Sequence, residues 1–570
     1  MESKQPGSVP TDSDRRRVLG GVAALGACAL LPQGLRAAAG APVQLDVAAT
    51  RLGIDGRRAQ ATLVNGSLPG PLLRFREGDL FQVRVVNHLS VPTAIHWHGL
   101  ILPADMDGVP GLSFPGIAPG SSFDYQFPLR QSGTYWYHAH AGYQEQTGLL
   151  GALVIDPRGS EPFSYDREHV VLLSDWSDTA PQRILANIKK QASYYNHQQR
   201  TLGELFGDIR DQGLAAVLRE RSEWGRMRMS PTDRADVDGS TYTYLVNGQS
   251  PSANWTGLFT PGQRLRLRFI NGAAMTYFDV RIPGLRMTVI AADGQLVEPV
   301  EVDEFRLPAA ETLDVLVEPR EARAYTLFAQ SLDRSGYARG TLAPAAGQQA
   351  AVPRLDKPAR LTMDDMGHHH ARPSVPGLDE PDHSAMMIAH PASETANPAV
   401  DMQTHMPSPK LDDPGIGLRD AQLLRLREGH VPGHRVLRLS DLRSRFPDPD
   451  PRLPERTIEL HLTGNMERYV WGFDGLRYAD APPIVLNLGE RVRFVLVNDT
   501  MMEHPVHLHG LWSDVEDETG DFLVRKHTLT MPPGTRRSFR VTADAKGRWA
   551  FHCHMLFHMG VGMFREVHVV

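Results

Sequence analysis

Three stretches of this 570-residue chain follow one pattern: GDLFQVRVVN (78–87), GQRLRLRFIN (262–271) and GERVRFVLVN (489–498). Each begins at a glycine, alternates apolar and polar positions, and reaches an asparagine nine residues later. A period of two is the signature of a strand with one face buried, so the chain is built from one β-unit used three times. Gly, Pro, Asn and Asp punctuate the runs between, as turns require, and 570 residues exceed what one core supports. The expected architecture is all-β, three consecutive Greek-key β-sandwich domains over residues 42–160, 161–345 and 430–570. Residues 346–429 differ: rich in Pro, Met, His and Asp and without a strand pattern, they read as a linker or mobile insert. Helical periodicity is sparse, with its best candidate over 181–207.

The N-terminus, residues 1–41, reads as an export signal rather than as structure. Arg15, Arg16 and Arg17 precede the apolar run VLGGVAALGACALL and the small-residue stretch LRAAAGAP, which resembles a twin-arginine leader cleaved near Ala39. That run is too short to span a bilayer, so a periplasmic protein without stable membrane insertion is expected, most simply a monomer. LGAC ending at Cys28 also loosely resembles a lipoprotein box, leaving a lipid anchor as a minor option. Sixty basic against 66 acidic residues, a net charge of −6, argue against a nucleic-acid partner.

With Cys28 assigned to the leader, Cys553 is the one cysteine left. A lone thiol in an oxidising compartment needs something to occupy it, and this one stands between two histidines in FHCHMLFHMGVGM (551–563). Outside the insert the chain holds four His-x-His pairs: His96/His98, His138/His140, His507/His509 and His552/His554. His96 and His507 each lie nine residues beyond the repeat's asparagine, and His138 and His552 each lie nineteen beyond a Pro-Gly. The pairs therefore occupy equivalent places in the first and third repeats; the second repeat has Val280 where the others begin a pair.

Residues i and i+2 share one face of a strand, so each pair presents two imidazoles together. Four converging pairs exceed the needs of one metal ion and imply a cluster. Nitrogen ligation with open positions suits copper among the first-row metals. Cys553, between two ligands, turns its sulfur to the opposite face, as does His504 at an odd offset from His507. With His558 and Met563 in a following loop, two His, a thiolate and an axial Met make a blue-copper electron-transfer site. The first repeat carries Thr93, Ala139, Gln144 and Leu149 at the corresponding places, so it keeps the cluster ligands and none of these.

HWHG, WYHAH, HPVHLHG and HCHMLFHMGVGM are similar to the four copper motifs of multicopper oxidases, three-domain cupredoxin proteins. The resemblance spans the mature chain and implies four copper ions: type 1 on His504, Cys553, His558 and Met563, and type 2 on His96 and His507. It assigns the type 3 pair to His98, His138 and His554 on one side and to His140, His509 and His552 on the other. Four one-electron oxidations would then reduce O2 to water. RMRMSPTD, TYTYLVNG, HLTGNMERYVWGFDG, the leader and the Met/His-rich insert resemble the periplasmic copper-resistance branch. Several relatives carry an acid after the last type 1 histidine; here Met559 stands there. Asp107 matches an acidic position assigned to proton supply, with a turn aspartate before Gly108 as the equally weighted alternative.

The expected reducing substrate is Cu(I). The insert holds Met363, Met366, His368, His369, His370, His383, Met386, Met387, His390, Met402, His405 and Met406, and thioether sulfur selects the cuprous ion. Met227 and Met229 alternate as if on one strand face, where packing is the commoner role of methionine. Two alternatives remain open: a laccase-like oxidase of phenols, and a periplasmic copper store without turnover.

Overall fold

A computed structural model describes residues 42–367, 397–418 and 434–570, with the short strand Leu35–Arg36. Its strands form six sheets, paired into three sandwiches. In the first, a four-stranded sheet (57–64, 43–54, 80–87, 122–128) faces a five-stranded one (35–36, 70–76, 150–156, 133–139, 95–98). The second and third each pair a six-stranded with a five-stranded sheet. Their strand orders run in parallel: 243–246, 167–176, 265–271, 312–317, 287–292, 295–302 in the second, and 470–473, 456–465, 491–498, 536–542, 513–516, 522–526 in the third. Leu35–Arg36, inside the expected leader, pairs with Leu73–Arg74; Cys28 and the cleavage point near Ala39 lie outside the described residues.

The repeat's asparagine has a structural reason. Asn87, Asn271 and Asn498 are wholly buried, and each uses its amide alike. Nδ2 of Asn87 donates to Val91 O and Ile117 O (3.0 and 2.8 Å), that of Asn271 to Thr276 O and Leu307 O (both 2.9 Å), and that of Asn498 to Met502 O and Met531 O (both 2.8 Å). Oδ1 accepts the N–H two residues on in all three. Buried backbone groups must find partners, and one side chain here satisfies three of them at the turn. That turn leads straight into the Ile95–His98 and His504–Leu508 strands.

Three expectations need correction. Helix occupies Pro181–Lys190 and Leu202–Gln212, as anticipated, but also Leu214–Met227. Met227 therefore ends a helix and shares no strand with Met229; in a solvent-facing excursion, helix-forming Arg, Glu, Leu and Ala outweigh a two-residue alternation. His558 lies in the one-turn helix Leu556–Gly560 rather than in a loop. Finally, the described flanks of the insert pack down instead of trailing in solvent. Leu361, Met366, Val400, Met402, Leu411 and Ile416 are buried, Thr404 bonds to Met366 O and Asp499, and Lys410 Nζ donates to Asp365 O and Pro533 O. His368, His369, His370, His383, Met386, Met387 and His390 lie outside the described residues.

Candidate metal centre

Strand register brings the histidines together. His96 lies opposite His138 in one antiparallel pair, and His507 opposite His552 in the other. The first and third sandwiches then meet face to face: the His96 and His509 rings are 3.9 Å apart, as are His98 and His507. His138 sits 4.9 Å from His554 and His140 5.3 Å from His552, so all eight imidazoles share one interdomain site. Seven are buried and His140 is half-buried.

Six of the rings are held by their outward nitrogens, whereas His554 Nδ1 is buried without a partner. His96 Nδ1 donates to Asp107 O (2.8 Å), His509 Nδ1 to Asp107 Oδ2 (2.9 Å) and His138 Nδ1 to Glu145 Oε2 (2.7 Å). His507 Nδ1 reaches His527 O (2.6 Å) and His552 Nδ1 reaches Cys553 O (2.9 Å). In these five the inward atom is Nε2. His98 is reversed: Nε2 points outward to Thr528 Oγ1 (3.1 Å) and His527 Nδ1 (3.2 Å), leaving Nδ1 facing in. Such outward partners fix tautomer and ring orientation in metal sites.

The inward nitrogens have no protein partner suited to them. His96 Nε2, His98 Nδ1, His140 Nε2 and His507 Nε2 are buried without a hydrogen bond. His509 Nε2 confronts His552 Nε2 at 3.0 Å, and His138 Nε2 confronts His554 Nε2 at 3.3 Å. Burial, reinforced by neighbouring imidazoles, drives the basicity of His98, His138, His140, His507, His509 and His554 well below the ordinary histidine value, and that of His552 down to about 4. Neutral rings with converging lone pairs form a donor set suited to metal ions.

A second cluster lies on the other side of Cys553. Its Sγ is 3.5 Å from His504 Nδ1 and 3.7 Å from His558 Nδ1, and those nitrogens are 3.1 Å apart. The outward atoms are again held, His504 Nε2 by Thr500 Oγ1 (2.7 Å) and His558 Nε2 by Asp236 Oδ2 (2.8 Å). Asp236 also accepts the Tyr469 hydroxyl (2.8 Å), while Trp471 packs on His558 with ring centroids 4.2 Å apart. Met563 is buried in the same turn, its carbonyl accepting Cys553 N at 3.2 Å. Burial pushes the thiol far up, so a thiolate here requires a cation in the proton's place. In the first repeat the corresponding Thr93 and Gln144 simply bond to each other (2.6 Å).

Asp107 closes a turn and also touches two of the histidines. Its backbone closes a turn, with N bonded to Ala104 O (3.2 Å), while its buried carboxylate contacts His509 and lies 3.3 Å from His96 Nδ1. A Cβ on Gly108 (φ 84°) would lie 1.9 Å from Ile95 O, so glycine lets this turn press against the ligand strand. Sequence reasoning missed Glu145, Asp236, Thr500, His527 and Thr528. Glu145 stands five residues past His140, a weak signal; Asp236 belongs to the second unit, where no spacing connects it to His558.

Profiles of the family described as multicopper oxidase match residues 46–160, 220–353 and 451–570. A copper resistance protein A homolog of Pseudomonas syringae pv. tomato is 56% identical, over 94% of this chain and 93% of its own. This chain belongs to the multicopper oxidase family. It is an oxidoreductase of the class that couples a reducing substrate to O2, and membership implies copper. Copper resistance protein A of Escherichia coli is 55% identical, with 93% of each chain covered. Among solved structures, Fet3p, a multicopper oxidase that functions in iron import, superposes with a TM-score of 0.63 at 19% identity, covering 93% of this chain and 90% of that one. The Pseudomonas thermotolerans multicopper oxidase gives 0.57 at 23%, with 93% and 99% covered. Among the described residues no helix is long and apolar enough to cross a membrane.

Proposed function

We propose that the protein is a cuprous oxidase of copper resistance, exported to the periplasm by its twin-arginine-type leader, which oxidises Cu(I) to Cu(II) and reduces O2 to water. One observation carries the reading: Cys553 aims its sulfur at His504 and His558, while its neighbours His552 and His554 aim at the eight-histidine cluster. Copper would supply one-electron acceptance at the first site and four-electron O2 reduction at the second. His504, Cys553, His558 and Met563 would hold type 1 copper, and His96 and His507 type 2. The type 3 pair would be held by His98, His138 and His554, and by His140, His509 and His552. With copper bound, the Cys553 backbone would offer a short bonded route between the sites.

The chain's own groups have definable tasks. Asp236, hydrogen-bonded to the buried His558 Nε2, orients that ring so that its Nδ1 faces Cys553 Sγ. Asp107 holds His509 and His96 and is the acid placed to pass protons to the cluster. Trp471 and Tyr469 wall the type 1 site against water. The copper-resistance role is supported by the names of the relatives at 55–56% identity.

Of the insert's methionines, Met366 and Met402 are packed in the core, while Met406 is 48% exposed. Gathering of Cu(I) by the insert would therefore fall to residues 368–396 together with the exposed His405 and Met406. The test compares O2 uptake driven by Cu(I) and by a phenol, for the intact protein and for one with 368–396 replaced by a Gly/Ser linker. The expected result is Cu(I) turnover that exceeds phenol turnover and falls in the deletion. Phenols as far better donors would favour a laccase-like oxidase, and Cu(I) binding without O2 uptake would favour storage.

A further inference from the structure

The second sandwich supplies no histidine to the cluster, yet its Asp293-Gly294 turn wedges between the other two. Asp293 is wholly buried. Its Oδ1 accepts Thr312 N (3.0 Å), and its Oδ2 accepts Lys526 Nζ (3.0 Å) and Thr528 N (3.2 Å) and lies 3.6 Å from His527 Nδ1. Lys526 Nζ also donates to Glu311 Oε2 (2.9 Å), and Thr312 Oγ1 donates to Thr134 O of the first sandwich (3.0 Å). The 526–528 segment is thus pinned from the second unit by charge-assisted bonds.

That segment ends at His98. Its outward Nε2, Thr528 Oγ1 and His527 Nδ1 form a triangle with sides of 3.0–3.2 Å. With His98 Nδ1 turned inward and unpartnered, Nε2 carries the proton and donates to this pair. His527 Nδ1 can then accept from His98 Nε2 or from the Thr528 hydroxyl as a neutral ring, its own N–H resting on Nε2, which is buried without a partner. His527 is buried, with Trp512 and Tyr135 at ring distances of 5.6 and 6.3 Å. A Cβ on Gly99 (φ 81°) would lie 2.4 Å from its Cδ2, so only glycine after His98 admits this ring.

We propose that His527 and Thr528, anchored by Asp293 of the ligand-free middle unit, are positioning residues that turn His98 to present Nδ1, not Nε2, to the cluster. Nothing in the copper motifs assigns them, because they lie where the Phe522–Lys526 strand bends into the Thr528–Met531 strand. The middle sandwich thereby takes part in building a site to which it gives no ligand. The inference rests on the copper reading above.

The full-length protein is stripped, reloaded with copper, and compared with His527→Ala, His527→Gln and Asp293→Asn. Copper per chain, the type 3 near-ultraviolet band, the type 1 thiolate charge-transfer band and the melting temperature of the metal-free form are read for each. The expected result for His527→Ala is an intact thiolate band, an unchanged melt, and loss of the type 3 band with about 10- to 100-fold weaker copper retention at the cluster. His527→Gln, whose amide oxygen can accept from His98 Nε2, recovers most of that loss, and Asp293→Asn shows a smaller loss in the same direction. Full copper and both bands in His527→Ala overturn the proposal. So does loss of both bands together with a lowered melt, or a glutamine variant no better than alanine. Wild-type protein that takes up no copper overturns the copper reading itself, and the inference with it.

Discussion

Substituting Asn for Asp107 isolates what its carboxylate does. The residue sits at αR dihedrals (φ −71°, ψ −26°) closing a turn, which asparagine adopts without strain, so the backbone role survives. What changes is the bond from His509 Nδ1 at 2.9 Å and the weaker approach of His96 Nδ1 at 3.3 Å. A hydrogen bond to a charged partner contributes about 1.5–3 kcal/mol and a neutral one about 0.5–1.5. Asparagine therefore costs about 1–1.5 kcal/mol, close to tenfold. Asp107→Ala also leaves the His509 N–H buried and unpaired, raising the cost to about 2–3 kcal/mol, or 30- to 150-fold. The assay is copper retention at the eight-histidine site under a chelator series, alongside O2 uptake at saturating donor. The reasoning predicts a graded order, wild type above Asn above Ala, with the thiolate band unaltered. An Asn variant within twofold of wild type in both readouts would refute it. A far larger turnover loss with copper retained would instead make proton transfer the main task of this residue.

Cys553→Ser abolishes the thiolate charge-transfer band and lowers turnover at least a thousandfold while the cluster still takes up copper; retained turnover would sink the two-site account. Asp236→Asn weakens the hold on His558 Nε2 and slows type 1 reduction about tenfold in stopped-flow traces, with no change in reoxidation by O2 as the internal control. The metal-free protein loses stability in acid. His98, His138, His140, His507, His509, His552 and His554 titrate lower folded than unfolded, so the unfolded chain binds more protons and stability falls as pH drops below about 6.5. The decline continues toward about 4, where His527 and His552 titrate, each such group contributing up to about 1.4 kcal/mol per pH unit. Equal melting temperatures at pH 7.5 and 5 would contradict this.

Much of the architecture is local pattern. The triplicated alternating strand announces its own periodicity, and the asparagine that closes it repeats its three hydrogen bonds in every copy. The His-x-His spacing likewise needs nothing beyond strand geometry to put two rings on one face, and an interposed cysteine must face the other way. The helix at 214–227 was harder to foresee, because an excursion outside a sandwich carries only propensity and caps, and its N-cap, Gly213, offers no side-chain bond. The insert's flanks misled for a related reason: Met366 and Met402 look like solvent-borne sulfur until the third sandwich is there to bury them.

By itself, then, the sequence decided which imidazoles share a strand face and which way Cys553 turns, since that follows from i, i+2 alternation within single strands. Tertiary structure alone decided what holds each ring. Asp107 reaches His509 across 402 positions, Asp236 reaches His558 across 322, and His527 reaches His98 across 429. Such pairs share no periodicity, because an outward ring nitrogen takes whichever polar group a neighbouring sandwich delivers within about 3 Å, and that is settled only when the sandwiches close on one another.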